Sequence, residues 1–167
     1  MSVTRDIIAT WRNPRRVMRR LLDMGQRDDR ALMYLLLACG LIFVAQWPRL
    51  SREVTLNPDG APLDAQLSIT FFAMLMVWPI MFYGLGALVH LVARTLGGQG
   101  TWYSARLALF WSLLASTPAW LFYGLVQGVV GPGGAETAVG AGVLIVFLVF
   151  FALTLREAER APEGVGA

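Results

Sequence analysis

His90 is the single histidine of the chain, and it lies in a long apolar stretch. Its imidazole titrates near neutral pH, so it is the first candidate for proton transfer or metal binding. Either chemistry needs partners. No Asp, Glu or second His shares any of the four long apolar stretches of the sequence. There is no Ser/His/Asp set and no HExxH sequence. The expected role of His90 is a hydrogen-bonded residue one turn from a helix end, followed by Arg94. Cys39, the single cysteine, is read as a small core residue. Neither a metal nor a cofactor is expected.

The other reactive groups are arginines. The chain has fourteen and no lysine, so every basic side chain is a permanently charged fork suited to phosphate. Eight fall within residues 1–30. Val3, Ile7, Trp11, Met18, Leu21 and Leu22 recur there at spacings of three and four, with arginines mostly between them. That is one apolar face of a helix. Asn13-Pro14 interrupts it as an N-cap followed by a first-turn proline, and Gly25 is placed to end the second piece. Residues 1–27 are therefore expected to form an amphipathic segment lying on the membrane. Its apolar face, with Trp11, is expected to enter the acyl boundary, the alternative being that it packs on the protein's own cytoplasmic surface. Arg12, Arg15, Arg16, Arg19 and Arg20 are expected to meet the phosphates of anionic lipids. A basic patch beside membrane spans is explained by leaflet phosphates, and no nucleic-acid partner is expected.

What must position these groups is a membrane domain. The apolar stretches cover residues 31–47, 67–93, 107–130 and 138–155, about half the chain. A bilayer core is ~30 Å thick and needs ~20 apolar helical residues to cross it. The two middle stretches exceed that length, and the outer two borrow flanking residues. Hydrophobic residues make up 56% and charged ones 15%, against ~25% charged for soluble domains, which excludes a water-soluble globule. The fold class is all-α: a polytopic transmembrane helix bundle of four spans over residues 28–155, with an interfacial helical segment before it and a short tail, 156–167, after it. Four spans put twelve of the fourteen arginines on one side and Arg49 and Arg52 on the other. The positive-inside rule then makes both termini cytoplasmic. No leader peptide is expected to be removed.

Within the spans, Pro79 and Pro118 predict kinks, with Ser116 and Thr117 beside Pro118 to satisfy freed carbonyls. Span three carries small residues at Ser112, Ala115, Ala119, Gly124 and Gly128, a face suited to close helix packing, within one subunit or between two. Phe-Tyr-Gly-Leu occurs at 82–85 and again at 122–125, in spans of opposite direction, and is read as coincidence rather than an inverted repeat.

Two segments are then notable. One is Asn13-Pro14-Arg15-Arg16-Val17-Met18-Arg19-Arg20-Leu21-Leu22. The other is Gly97-Gly98-Gln99-Gly100-Thr101-Trp102-Tyr103-Ser104, which opens a span whose centre is Leu114-Ala115-Ser116-Thr117-Pro118. Together they resemble bacterial members of the Yip family, named after Rab-interacting membrane proteins. The resemblance runs from about residue 14 to 155. The chain has four apolar stretches where the family commonly has five spans, and the acidic-aromatic motif linked to Rab binding is not visible in it. The resemblance implies a non-enzymatic membrane adaptor or organiser, such as an accessory subunit of a larger complex, in a bacterial inner membrane. Its partners would be anionic lipid and other membrane proteins or copies of itself. The alternative is a small oligomeric transporter or channel using kinked spans two and three. An intramembrane enzyme built on His90 ranks third.

Overall fold

The computed structural model describes residues 3–160, and the described residues are helical with no strand. Helix α1 (Val3–Arg12) and α2 (Pro14–Asp23) form a hairpin before the first long helix, α3 (Asp28–Leu56). Then follow α4 (Leu63–Phe72), a π-helical turn at Ala73–Val77, and α5 (Trp78–Thr95). The last three are α6 (Trp102–Ala115), α7 (Thr117–Val129) and α8 (Gly134–Ala158). By length and hydropathy α3, the continuous Leu63–Thr95 helix and α8 can each cross a bilayer. The α6–α7 pair, bent by 44°, makes a fourth crossing if it is one span. The outward faces carry large apolar side chains such as Ile80, Phe122 and Ile145, which is how lipid-facing helices differ from those of a soluble bundle. This is an integral membrane protein.

Pairwise contacts fix the direction of each crossing. Asp28 pairs with Arg106 at 2.9 Å and Tyr34 meets Trp111 edge-on at 5.0 Å, while Arg52 reaches the carbonyls of Gly128 and Val129. Both residue numbers of these pairs rise together, so α3 and α6–α7 run parallel. His90 meets Trp102 and Tyr83 meets Phe110, so α5 runs against α6. Thr154 meets Ser112 and Glu136 meets Gln127, so α8 also runs against it. The start of α3, the end of α5, the start of α6 and the end of α8 thus lie at one end of the bundle, and the α1–α2 hairpin runs from that end along α6 as far as Ala115. Twelve of the fourteen arginines belong to the segments that begin or end there.

Helix α6 is the centre. From Leu107 to Ala115 every side chain is buried, and Trp111, Phe110, Leu107 and Leu114 are its largest fillers. Leu35, Ile42 and Cys39 of α3 close on it from one side, and Met18 and Leu21 of α2 belong to the same core.

The helices run beyond the apolar stretches. The first apolar stretch ends at Trp47, and the residues from Pro48 read as a connector that lends the span a few flanking residues; α3 instead continues through Pro48 to Leu56. Proline removes one bond, to the Val44 carbonyl, and the rest of the ladder holds because α7 packs alongside. The turn falls at Asn57-Pro58-Asp59-Gly60, where the Gly60 amide donates to the Asn57 carbonyl at 3.0 Å. In the second crossing the π-turn precedes Pro79. A widened turn at that point relieves the clash of the proline ring with the carbonyl four residues back. The two Phe-Tyr-Gly-Leu segments are not equivalent: Gly84 faces open space, and Gly124 is buried against α3.

Candidate functional site

The arginine-rich end is built on the α1–α2 hairpin. Asn13 caps α2, its side-chain oxygen accepting from the Arg16 amide at 3.2 Å, and Pro14 occupies the first turn. Gly25 takes a φ of 84°, a left-handed value that lets the chain turn towards α3. The apolar face of this hairpin was expected in the acyl boundary. The structure instead turns it onto the protein. Val17, Met18 and Leu21 are buried in the core, and Val3, Ile7, Ala9 and Leu22 pack against it. Two apolar environments compete for such a face, and here the groove between α6 and α8 takes it. Ile8 and Trp11 remain partly exposed on the outside.

Two indoles lock the hairpin in place. Trp111 of α6 donates its Nε1–H to the buried Thr10 hydroxyl at 3.1 Å. Trp11 donates its Nε1–H to the Ala115 carbonyl at 3.0 Å, and its ring meets Phe150 edge-on at 5.3 Å. Ala115 is the last residue before the break between α6 and α7. Pro118 has no N–H for the Leu114 carbonyl, and the Thr117 hydroxyl donates to that oxygen at 2.7 Å. Ser116 donates to the Leu113 carbonyl at 2.8 Å. The Ala119 amide turns to Ser116 at 3.0 Å, which leaves the Ala115 carbonyl for Trp11. An unpaired carbonyl in apolar surroundings costs ~1–3 kcal/mol. The hairpin therefore stabilises the bend of the central helix.

A third lock is ionic. Glu157 near the end of α8 is buried, and it accepts from Arg19 Nε at 2.8 Å and Nη2 at 2.6 Å. Arg160 lies 3.4 Å from its second oxygen, and Arg20 pairs with Asp6 across the hairpin. Arg19→Gln is expected to cost about 2 kcal/mol, below the ~3–5 kcal/mol of a fully buried pair because the Arg19 side chain is half exposed. Thermal melting in detergent checks this. Adding Glu157→Gln to Arg19→Gln should recover most of the loss, since the buried charge is then gone.

The glycine-rich loop joins the same end. Gly97 has a φ of 86°. The Gly100 amide donates to Glu159 Oε2 at 2.9 Å and the Gln99 amide to the Glu159 carbonyl at 3.2 Å. A Cβ on Gly98 or Gly100 would collide with Glu159. Thr101 and Ser104 cap α6 reciprocally. The loop is thus a clasp onto the end of α8.

Of the arginines singled out from the sequence, Arg12, Arg15 and Arg16 stand exposed on the hairpin, while Arg19 and Arg20 hold Glu157 and Asp6. Of the small residues, Gly124 and Gly128 meet α3: a Cβ on either would overlap Ala45 or Pro48. Ser112 and Ala115 lie buried on α6, away from that contact, with Ser112 bonded to Thr154 at 2.8 Å, and Ala119 is half-buried. Pro79 is buried and Pro118 exposed. His90 is buried against the Trp102 ring at 4.3 Å, and its Nδ1 has no hydrogen-bond partner among the described residues. Among the described residues no group of three or more His, Cys, Asp or Glu could hold a metal ion. Arg52 was not singled out, yet its guanidinium caps α7 through the Gly128 and Val129 carbonyls at 3.3 and 3.2 Å. Its position in an expected connector hid that role.

A family model described as the Yip1 domain matches residues 8–164, nearly the whole chain. No curated protein and no solved structure matches it.

Proposed function

The chain belongs to the Yip1 domain family, and from that premise we propose that it is a non-enzymatic membrane organiser, an accessory subunit held in a larger complex of a bacterial inner membrane. The observation that supports this reading is the arginine-rich end. A hairpin keyed into the bundle by Trp11, Trp111 and Glu157 presents Arg12, Arg15 and Arg16 outward. In this reading that end faces the cytoplasm and its anionic leaflet, the side that the arginine bias favours. Four polar side chains within the bundle serve closure: Ser112 and Thr154 bond each other, and Ser116 and Thr117 bond their own helix.

The test is native mass spectrometry of the full chain released from its membrane in mild detergent. The reading expects a stoichiometric foreign membrane subunit. A homo-oligomer whose proteoliposomes pass a solute would replace it with a transporter. Orientation is checked separately. Reporters that act only outside the cytoplasm should stay silent when fused to either terminus, and activity at one terminus would remove the four-span arrangement.

A further inference from the structure

The outer face of the hairpin holds a cleft of about 660 Å³ between α1 and α2. Sites for small ligands commonly span ~300–1,000 Å³. Arg5 and Arg12 rise from one wall, two turns apart on α1, and Arg16 stands on the other. Ile8, Ala9 and Val17 also line it. Two further arginines on the α2 wall are committed elsewhere, Arg19 to Glu157 and Arg20 to Asp6. Arg5, Arg12 and Arg16 have no carboxylate partner among the described residues, and Asp23 is the one acid in the described lining. Arg20 adds a second indication. Its Nε–H is buried on the α2 wall and has no hydrogen-bond partner among the described residues.

We propose that this cleft is a discrete site for a phospholipid headgroup carrying two phosphates, gripped by Arg5, Arg12 and Arg16. Three guanidinium forks on facing helices match two phosphate groups in charge, and each fork can hold a phosphate bidentately. One monoanionic phosphate would leave the cleft strongly positive. The lipid origin follows from Ile8, which is 58% exposed in the cleft beside the half-exposed Trp11. A soluble diphosphate would leave that apolar surface in water, and the glycerol and first methylenes of a membrane lipid cover it. The site depends on the reading that this end faces an anionic leaflet, and it narrows that reading from spread charge to named residues. Arg15 is the internal contrast. It sits on the same helix with the same charge and does not line the cleft.

The experiment measures lipid retained by the full purified chain in detergent, by native mass spectrometry. The probes are diphosphatidylglycerol, phosphatidylglycerol and phosphatidylcholine at matched total charge or, for the neutral lipid, matched concentration. Arg5→Gln, Arg12→Gln and Arg16→Gln should each lower retention of the two-phosphate lipid about tenfold, and Arg15→Gln less than twofold. Phosphatidylglycerol should be retained at least fivefold less, and free pyrophosphate should not displace the two-phosphate lipid. Unchanged melting of each variant separates lost binding from lost folding. A variant that melts early is replaced by the corresponding Arg→Lys change, which keeps charge but loses the fork and should still lower retention severalfold. Equal losses from Arg15→Gln and Arg16→Gln would overturn the site and leave the anionic-leaflet reading intact. Equal retention of the one- and two-phosphate lipids would do the same. Displacement by pyrophosphate would assign the cleft to a soluble ligand. Retention of phosphatidylcholine as strong as that of the anionic lipids would remove both the site and the reading on which it rests.

Discussion

Gly124→Leu is expected to destabilise the folded bundle by about 3 kcal/mol without changing the size of the purified particle. Helices α3 and α7 touch through backbone at this point: a Cβ on Gly124 would overlap the Ala45 carbonyl, and one on Gly128 the Pro48 ring. In lipid no hydrophobic effect pulls helices together, so this close approach supplies much of the packing between them. A leucine must push the helices apart along their length. It would also draw Arg52 away from the carbonyls of Gly128 and Val129 that it caps. Gly84→Leu is the control. Gly84 faces open space, so the same substitution there should move stability by less than ~0.5 kcal/mol. Denaturation in mixed detergent micelles measures both. Particle size separates this internal contact from an interface between subunits. A variant that stays stable and changes its oligomeric state would contradict the packing described.

Trp11→Ala is the second large effect, expected at about 3 kcal/mol. The substitution removes the edge-on contact with Phe150 and leaves the Ala115 carbonyl unpaired inside the bundle. Trp11→Phe keeps most of the ring and loses the N–H, so it should cost about half as much. Both changes should loosen the hairpin before the bundle melts. A cysteine placed at Val17, which α2 buries against the core, reports this by thiol labelling of the native protein. Labelling should be slow with Trp11 in place and at least tenfold faster in Trp11→Ala. Equal rates would mean that the indole does not hold the hairpin.

Much of this architecture is visible in the residue pattern. Asn13-Pro14 and Gly25 punctuate the hairpin because capping and positive φ are local properties. The turn at residues 57–60 and the four apolar stretches are local in the same sense. What lies beyond the pattern is non-local. An apolar helical stripe reads the same whether it meets lipid or protein, so periodicity could not place Val17, Met18 and Leu21 in the core. Two polar residues on the inner face do carry a signal. Asp6 and Thr10 are buried, and a membrane surface would have offered them nothing better than water, whereas Arg20 and Trp111 bond them. The continuation of α3 through Pro48 was hidden for a related reason. A proline and three charged residues, Arg49, Arg52 and Glu53, resemble a connector until α7 is seen to pack along them.

The same distinction sets the most direct test of the account, which holds that the hairpin is part of the bundle and turns its arginines outward. Hydrogen exchange of the full chain can be followed by mass spectrometry in nanodiscs of neutral lipid and of anionic lipid. Docking by Thr10, Trp11, Met18 and Leu21 predicts that the amides of α1 and α2 are protected equally in both, because the contacts are with protein. Protection that appears only in the anionic nanodiscs would show that the leaflet, not the bundle, folds the hairpin, and would contradict the account.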